Sequence, residues 1–287
     1  MSGQPSVREA LAADAVLGES PVWSPTRQRL LWVDTEGRWL HAFDPASGHN
    51  QSTAMPDVVG MVAEDRDGRL TVALGCGLAR VGANGETEPL GVAPHAVPGF
   101  RLNDGKFDEQ GHLWIGLMAN DLTPGSGVLY RVDPDGAWHV MDDGFTLING
   151  LEWTEDRRTL LVTDSRQGII YAYDFDARFG TVRNRRPFVV IEAALGKPDG
   201  LTLAPDGVLL STLFDGSAIL RISREGKIGG KITLPVPRPT SCAFVPGPEP
   251  TLYVTTARLG FSPDDLRTSH VSGSLLAAGY PTPNASS

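Results

Sequence analysis

The sequence predicts an all-β protein: a six-bladed β-propeller with four-stranded blades and a central metal site. Two observations predict the fold. A strand-turn-strand pattern recurs six times along the 287 residues, roughly every 40–50 residues. The composition, with Gly 33 and Pro 22, supplies the many turns that short strands need. Four-stranded units at this period are typical of propeller blades, and no long window shows the 3.6-residue period of a helix.

The first hairpin of each unit has an apolar strand, a turn of Pro, Asp, Gly or charged residues, and a second strand. That second strand is rich in Leu, Val, Thr and aromatic residues, as in "LLWVDT" and "TLYVTT", which is typical of half-buried strands. These six hairpins begin at Ser20, Met61, Asp104, Gly150, Gly200 and Cys242.

A second hairpin, which alternates and turns at Gly, follows in five of the units. These hairpins begin at Trp39, Leu78, Gly127, Ile169 and Ala218. In the sixth unit, "GSLLAAGY" (273–280) can supply one strand and "REALAADAVLG" (8–18) another. We therefore expect the ring to close by pairing the two ends of the chain. Residues 1–280 are predicted to form this single domain, and residues 281–287 a flexible tail.

The composition limits the classes of partner. A net charge of -9 does not attract phosphate backbones, so we expect no nucleic-acid partner. No apolar run approaches ~18 residues, so no membrane partner is expected. The N-terminus lacks the features of a signal peptide, which predicts a cytoplasmic protein. Cys76 and Cys242 are too few for a disulfide framework. We expect a monomer or a weak homo-oligomer.

The six first hairpins can be aligned on their turns, and six residues before each turn lies an equivalent position, here called the register position. Most residues at this position are polar. Four of its six residues have a carboxylate or a carboxamide, and a ring would bring them around one axis. Their oxygens suit Ca²⁺, Mg²⁺ or Mn²⁺, and Zn²⁺ is possible. The other two carry no strong ligand, which leaves an open side for water and substrate. Counting back six residues from each turn gives Glu19, Gly60, Asn103, Asn149, Asp199 and Ser241.

An alternative interpretation is that the same residues only form turns between strands. Asn149-Gly150 and Asp199-Gly200 are common turn dipeptides, so both pairs could simply be bends at strand starts. In "RLNDG" (101–105) the sequence predicts a turn, with Asn103 in the site and Gly105 at the bend. Strand alternation points Asp104 away from the ring, where we expect it to support the loop.

Several motifs, in order and over most of the chain, together resemble those of the regucalcin/gluconolactonase family, the senescence-marker-protein-like lactonases. The resemblance implies a six-bladed propeller with one divalent cation in its channel. It implies that Glu19, Asn149 and Asp199 hold the cation and that Arg101, Asn103 and Asp121 contact the substrate. The motifs are "LGESPVW" (17–23), "RLNDGKFD" (101–108), "INGLEW" (148–153), "KPDGLTLAPDG" (197–207) and "PTSCAF" with "LYVTTAR" (239–258).

These residues lead to one functional hypothesis: hydrolysis of a sugar-acid lactone, such as gluconolactone or a pentonolactone, to the aldonic acid. The cation (Ca²⁺, Zn²⁺, Mg²⁺ or Mn²⁺) is expected to act as a Lewis acid, and Asp199 as the general base on water. No GxSxG elbow or metal-binding histidine spacing offers another mechanism. Two alternatives stay open: an organophosphate or other ester hydrolase on the same platform, and a non-catalytic calcium-binding regulatory protein.

Overall fold

The computed structural model describes residues 6–280, which form six four-stranded antiparallel sheets. The predicted all-β, six-bladed propeller is therefore confirmed. Residues 281–287, for which the sequence predicts a tail, lie outside the described residues. No helix in the described part of the chain is both long and apolar enough to span a membrane.

In the first five blades, four consecutive strands run outward from the channel in chain order. Blade 1 contains β2 (Gly18–Ser24), β3 (Arg29–Asp34), β4 (Trp39–Phe43) and β5 (Asn50–Ala54); blade 2 contains β6 (Val59–Glu64), β7 (Leu70–Leu74), β8 (Gly77–Val81) and β9 (Thr87–Val92); blade 3 contains β10 (Phe100–Phe107), β11 (Leu113–Ala119), β12 (Gly127–Val132) and β13 (Trp138–Phe145). Blade 4 contains β14 (Ile148–Trp153), β15 (Thr159–Asp164), β16 (Ile169–Asp176) and β17 (Thr181–Val190), and blade 5 contains β18 (Lys197–Leu203), β19 (Leu209–Phe214), β20 (Ala218–Ile222) and β21 (Ile228–Thr233).

Blade 6 joins the two ends of the chain. From the channel outward it contains β22 (Pro239–Val245), β23 (Thr251–Thr256), β24 (Leu275–Gly279) and β1 (Val7–Leu11). The N-terminal strand β1 pairs antiparallel with β24, and the Ser274 hydroxyl donates to the Glu9 carboxylate at 2.5 Å. The expected closure of the ring is thus confirmed. Two short helices lie between strands, a 3₁₀ turn (Ala193–Leu195) and α1 (Pro263–Thr268).

The apolar core is divided among the six interfaces between neighbouring blades. Each of the six buried clusters draws its residues from two adjacent blades; Met61 of blade 2, for example, packs with Leu102 and Ile115 of blade 3. Because the alternate face of each strand is buried against a neighbour, the blades hold one another in a fixed ring. The central channel is left for polar groups.

Removal of the closing strand gives the first testable prediction. A variant lacking residues 1–11 loses the pairing of β24 and the partial burial of Val7, Ala10 and Leu11. We expect a loss of about 3 kcal/mol, which corresponds to a fall in Tm of roughly 6–12 °C, and aggregation through the exposed edge. Calorimetry and light scattering would measure both. A Tm equal to that of the full chain would contradict the closure by β1.

Candidate functional site

The innermost strands of the six blades line the channel. They contact one another in cyclic order, β2, β6, β10, β14, β18, β22 and back to β2. Each strand has a one-residue bulge where it pairs with the second strand of its blade. A bulge re-aims the neighbouring side chains and interrupts the ladder. All six bulges contain or directly adjoin the register position chosen from the sequence, which is Glu19, Gly60, Asn103, Asn149, Asp199 and Ser241.

The interpretation of two glycine dipeptides as bends is wrong. Asn149-Gly150 lies inside β14 and Asp199-Gly200 inside β18, and neither glycine has a positive φ. A Cβ on Gly150 would lie 2.3 Å from the Leu201 nitrogen, and a Cβ on Gly200 would lie 2.2 Å from the Ser241 hydroxyl oxygen. These glycines are therefore required by the close approach of neighbouring innermost strands.

The predicted turn at "RLNDG" is also absent. Arg101 to Gly105 lie within β10, and Gly105 does not have a positive φ. The bulge between Leu102 and Gly105 inserts one extra residue there, so simple alternation does not apply to Asp104. The side chain of Asp104 is instead close enough to the ring for its charge to act on Glu19 and Asp199.

A chain of hydrogen bonds connects four polar side chains of the site. The Arg101 guanidinium donates to Asn103 Oδ1 at 2.5 Å, and Asn103 Nδ2 donates to Asn149 Oδ1, also at 2.5 Å. Asn149 Nδ2 then donates to the Ser165 hydroxyl at 2.7 Å. Asn103 Nδ2 also donates to the Ile148 carbonyl at 2.8 Å. The two amides are thereby fixed in orientation, and each carbonyl oxygen faces a known donor.

Two aspartates outside the predicted site hold the segments that lead into it. Asp34 accepts hydrogen bonds from the amides of Val16 and Leu17, just before Glu19. Asp164 accepts from the amides of Thr146 and Leu147, just before Asn149. Both aspartates end the second strand of their blade, so the repeat of Asp in "WVDT" and "VTDS" is the sequence signal that could have found them.

The surroundings of Glu19 and Asp199 raise the pKa of both carboxyl groups and so oppose their ionisation. Burial, then the charge of Asp104, raises the pKa of Glu19 to about 8. Burial, then the charges of Glu19 and Asp104, raises the pKa of Asp199 well above its usual range, and the pKa of Asp104 rises to about 6, mainly through burial. Asp199 is 5 % exposed, and its buried Oδ1 has no hydrogen-bond partner. Such an atom is costly unless another group compensates it.

Arg101 supplies the positive charge of the site. Burial lowers the pKa of its guanidinium, while the charges of Glu36, Glu19 and Asp199 oppose that effect. Glu36 was missed by the sequence reasoning, because an exposed residue in the loop between β3 and β4 carries no pattern. Its loop is tied to the start of β6 in blade 2, because the Thr35 carbonyl accepts from the amide of Val59 at 3.4 Å. Arg101 therefore lies among acidic groups from two other blades, Glu19 and Glu36 of blade 1 and Asp199 of blade 5.

Asp121 occupies a different position. It lies in the exposed loop after β11, where its carboxylate accepts from the amide of Thr123 at 3.0 Å and from the Thr123 hydroxyl at 2.7 Å. These hydrogen bonds lower its pKa. Within residues 6–280, no hydrogen bond or ion pair joins Asp121 to the ring residues, and its contact with substrate stays a prediction.

The donor set fits a hard divalent cation. No group of three or more His, Cys, Asp and Glu side chains in the described part of the chain is placed to hold a metal ion. Glu19, Asn149 and Asp199 instead combine two carboxylates with an amide oxygen, the ligand types that Ca²⁺ and Mg²⁺ prefer. A cation here would offset the repulsion between the buried carboxylates of Glu19 and Asp199.

Fold and site together define a six-bladed propeller with a bulged ring of carboxylates and amides at the start of its innermost strands. The profile of the SMP-30/Gluconolactonase/LRE-like region matches residues 17–258, and the chain belongs to this family.

Curated relatives and solved structures extend the similarity to most of the chain. A 6-deoxy-6-sulfogluconolactonase from Pseudomonas putida is 33 % identical over 92 % of this chain and 91 % of its own length. A pentonolactonase from Haloferax volcanii is 34 % identical over 84 % of this chain and 81 % of its own length. Regucalcin of Gallus gallus is 32 % identical over 85 % of this chain and 84 % of its own length. The structure of a luciferin-regenerating enzyme superimposes with a TM-score of 0.88 at 28 % identity, covering 96 % of this chain and 95 % of that one.

Proposed function

We propose that the protein hydrolyses a sugar-acid lactone, such as gluconolactone or a pentonolactone, to the aldonic acid. The observation that carries the proposal is the unpartnered, buried Oδ1 of Asp199, beside the Glu19 carboxylate and the Arg101 guanidinium. The attack of water on an ester carbonyl requires a basic oxygen and, next to it, a fixed positive charge such as the Arg101 guanidinium. The names of the relatives, a sulfogluconolactonase and a pentonolactonase, support the same class of substrate.

Glu19, Asn149 and Asp199 would hold one divalent cation, Ca²⁺, Zn²⁺, Mg²⁺ or Mn²⁺. When bound, such a cation polarises a carbonyl oxygen and stabilises negative charge on it. The hydrogen bonds from Asn103 to Asn149 and from Asn149 to Ser165 fix the amide, so that its carbonyl oxygen is oriented before any ligand arrives.

Asp199 is proposed as the general base. Its Oδ1 takes a proton from water as the water oxygen forms a bond to the lactone carbonyl carbon. The bond from that carbon to the ring oxygen then breaks, and the same carboxyl group returns the proton to the leaving alkoxide. Ligation of a cation lowers carboxylate basicity, so one oxygen of Asp199 must stay free for this role.

Arg101 and Asn103 are proposed to position the substrate. The Arg101 guanidinium has five N–H donors and uses one for Asn103, so others are free for the carbonyl or hydroxyl oxygens of a sugar lactone. Asn103 orients the arginine through the same bond. Asp121, at the exposed loop, is proposed to contact a substrate hydroxyl.

A substrate panel tests the proposed function. Chelator-treated protein is supplied with one divalent cation at a time, and acid release is followed with gluconolactone, pentonolactones and a phosphotriester. We expect hydrolysis of at least one lactone well above the spontaneous rate, and a large loss in Arg101→Ala. Turnover of the phosphotriester alone would favour the organophosphate hydrolase, and cation binding without any turnover would favour a calcium-binding regulatory protein.

A further inference from the structure

A separate cavity of about 730 Å³ opens at the other end of the channel. Its rim includes the turns of the first hairpins, such as Pro25 and Glu109, and its inner end reaches Ser20, Asp104 and Ser241. The proposed site residues Glu19, Arg101, Asn103, Asn149 and Asp199 are not among its lining residues. The volume lies within the range of small-molecule sites.

At one level of the strands, the walls of this cavity are divided into two chemically different arcs. Nearer the rim, the cavity is also lined by Glu64, Asp65, Asp108 and Glu109. In each blade, the residue three positions after the ring position lines the cavity. Blades 6, 1 and 2 contribute apolar side chains, and blades 3, 4 and 5 contribute polar ones, so the two kinds occupy opposite sides. In this order the apolar arc is Phe244, Val22 and Ala63, and the polar arc is Lys106, Glu152 and Thr202.

Donor groups dominate the free hydrogen-bonding capacity of the polar arc. The Glu152 carboxylate is buried and already accepts from Lys106 Nζ at 2.6 Å and from the amides of Leu203 at 3.2 Å and Trp153 at 2.9 Å. Lys106 is 42 % exposed, and its ammonium has three N–H donors, of which Glu152 uses one. Thr202 of blade 5, which is half-buried, adds a hydroxyl on the other side of Glu152.

We propose that this cavity binds a small amphipathic monocarboxylate. The carboxylate would accept hydrogen bonds from Lys106 and Thr202, and the hydrocarbon part would lie against Phe244, Val22 and Ala63. The Asp104 carboxylate at the inner end of the cavity repels the carboxylate of the ligand, which keeps that carboxylate away from the inner end and at the level of Lys106. This site is separate from the proposed lactonase site and does not depend on that activity.

Hexanoate is the probe for this proposal, with 1-hexanol as the uncharged comparison. In calorimetric and ligand-observed NMR titrations we expect hexanoate to bind with a Kd at or below about 1 mM, and hexanol at least ~10-fold more weakly. Ala63→Phe, which fills the apolar arc, should abolish binding. Ala137→Phe, an exposed residue outside the cavity, should not change it.

Two further variants separate this site from the ring and from a loss of folding. Lys106→Gln should weaken hexanoate binding at least ~10-fold, whereas Lys106→Arg and Asp199→Asn should leave it within ~2-fold. Circular dichroism melting checks that each variant is folded. The proposal would be overturned if the wild-type protein bound no hexanoate at 10 times the expected upper limit of the Kd. It would also be overturned if folded Ala63→Phe bound hexanoate as well as the wild-type protein does.

Discussion

Asp199→Asn is expected to abolish lactone hydrolysis and, at the same time, to stabilise the cation-free protein. The loss of rate should be at least ~10²-fold, the usual lower bound for removal of a general base. The gain in stability follows because burial and the charges of Glu19 and Asp104 disfavour the ionised Asp199 carboxyl. A neutral amide of the same shape removes that repulsion. A rise in Tm of roughly 2–4 °C is expected for each kcal/mol relieved.

Turnover and calorimetric Tm, measured on the same cation-free and cation-loaded preparations, check both parts of this result. Asp135→Asn, in the exposed turn between β12 and β13, is the matched control and should change neither quantity. If Asp199→Asn kept wild-type turnover while its fold and cation content were unchanged, the assignment of Asp199 as the base would be wrong. A lower Tm for the cation-free variant would contradict the repulsion between the buried carboxyls.

A divalent cation is expected to stabilise the protein far more at pH 8.5 than at pH 5. At the lower pH the ring carboxyls hold protons, because the pKa of Glu19 is raised to about 8 and that of Asp199 is also raised. A cation must displace those protons before it binds. At a concentration of 100 times its Kd it should add about 2.7 kcal/mol to the free energy of unfolding. Denaturant titrations at both pH values measure the effect.

Without a cation, the free energy of unfolding is expected to fall as the pH rises from about 4.5 to about 8. Over this interval the folded protein retains a proton on Glu19 that the unfolded chain, with its ordinary pKa of 4.5, has already released. Stability falls with pH wherever the folded state binds more protons. Glu19→Gln should flatten this slope and remove most of the stabilisation by cations, whereas Glu225→Gln, in an exposed turn, should do neither. An unchanged slope in Glu19→Gln would contradict the raised pKa.

The blades were predictable because each repeats one local pattern. Turn residues and alternating strands recur at a constant interval, and even the closure by residues 7–11 followed from the missing outer strand of the sixth unit. Local patterns cannot show how six bulges align at one level of the channel. The bulge at Asp104 is an example, because the strand pairing of Leu102 and Gly105 decides which way that side chain points.

The candidate site was predictable in part for the same reason. One register position identified Glu19, Asn103, Asn149 and Asp199, and the structure brings their strands together. The dipeptides Asn149-Gly150 and Asp199-Gly200 were ambiguous, since a tight turn and a close approach of two strands both require glycine. The role of Glu36 could not be predicted from the sequence, because its effect on Arg101 depends on where an exposed loop lies in the folded structure.

The most direct test titrates chelator-treated protein with a divalent cation while heat and lactone turnover are followed together. Our proposal predicts one binding event per chain and turnover that rises to a plateau at one equivalent. Asp199→Asn should lose the turnover, and Glu19→Gln should lose the binding as well. Full turnover in protein shown by elemental analysis to hold no divalent cation, or wild-type cation binding by folded Glu19→Gln, would contradict the proposed site.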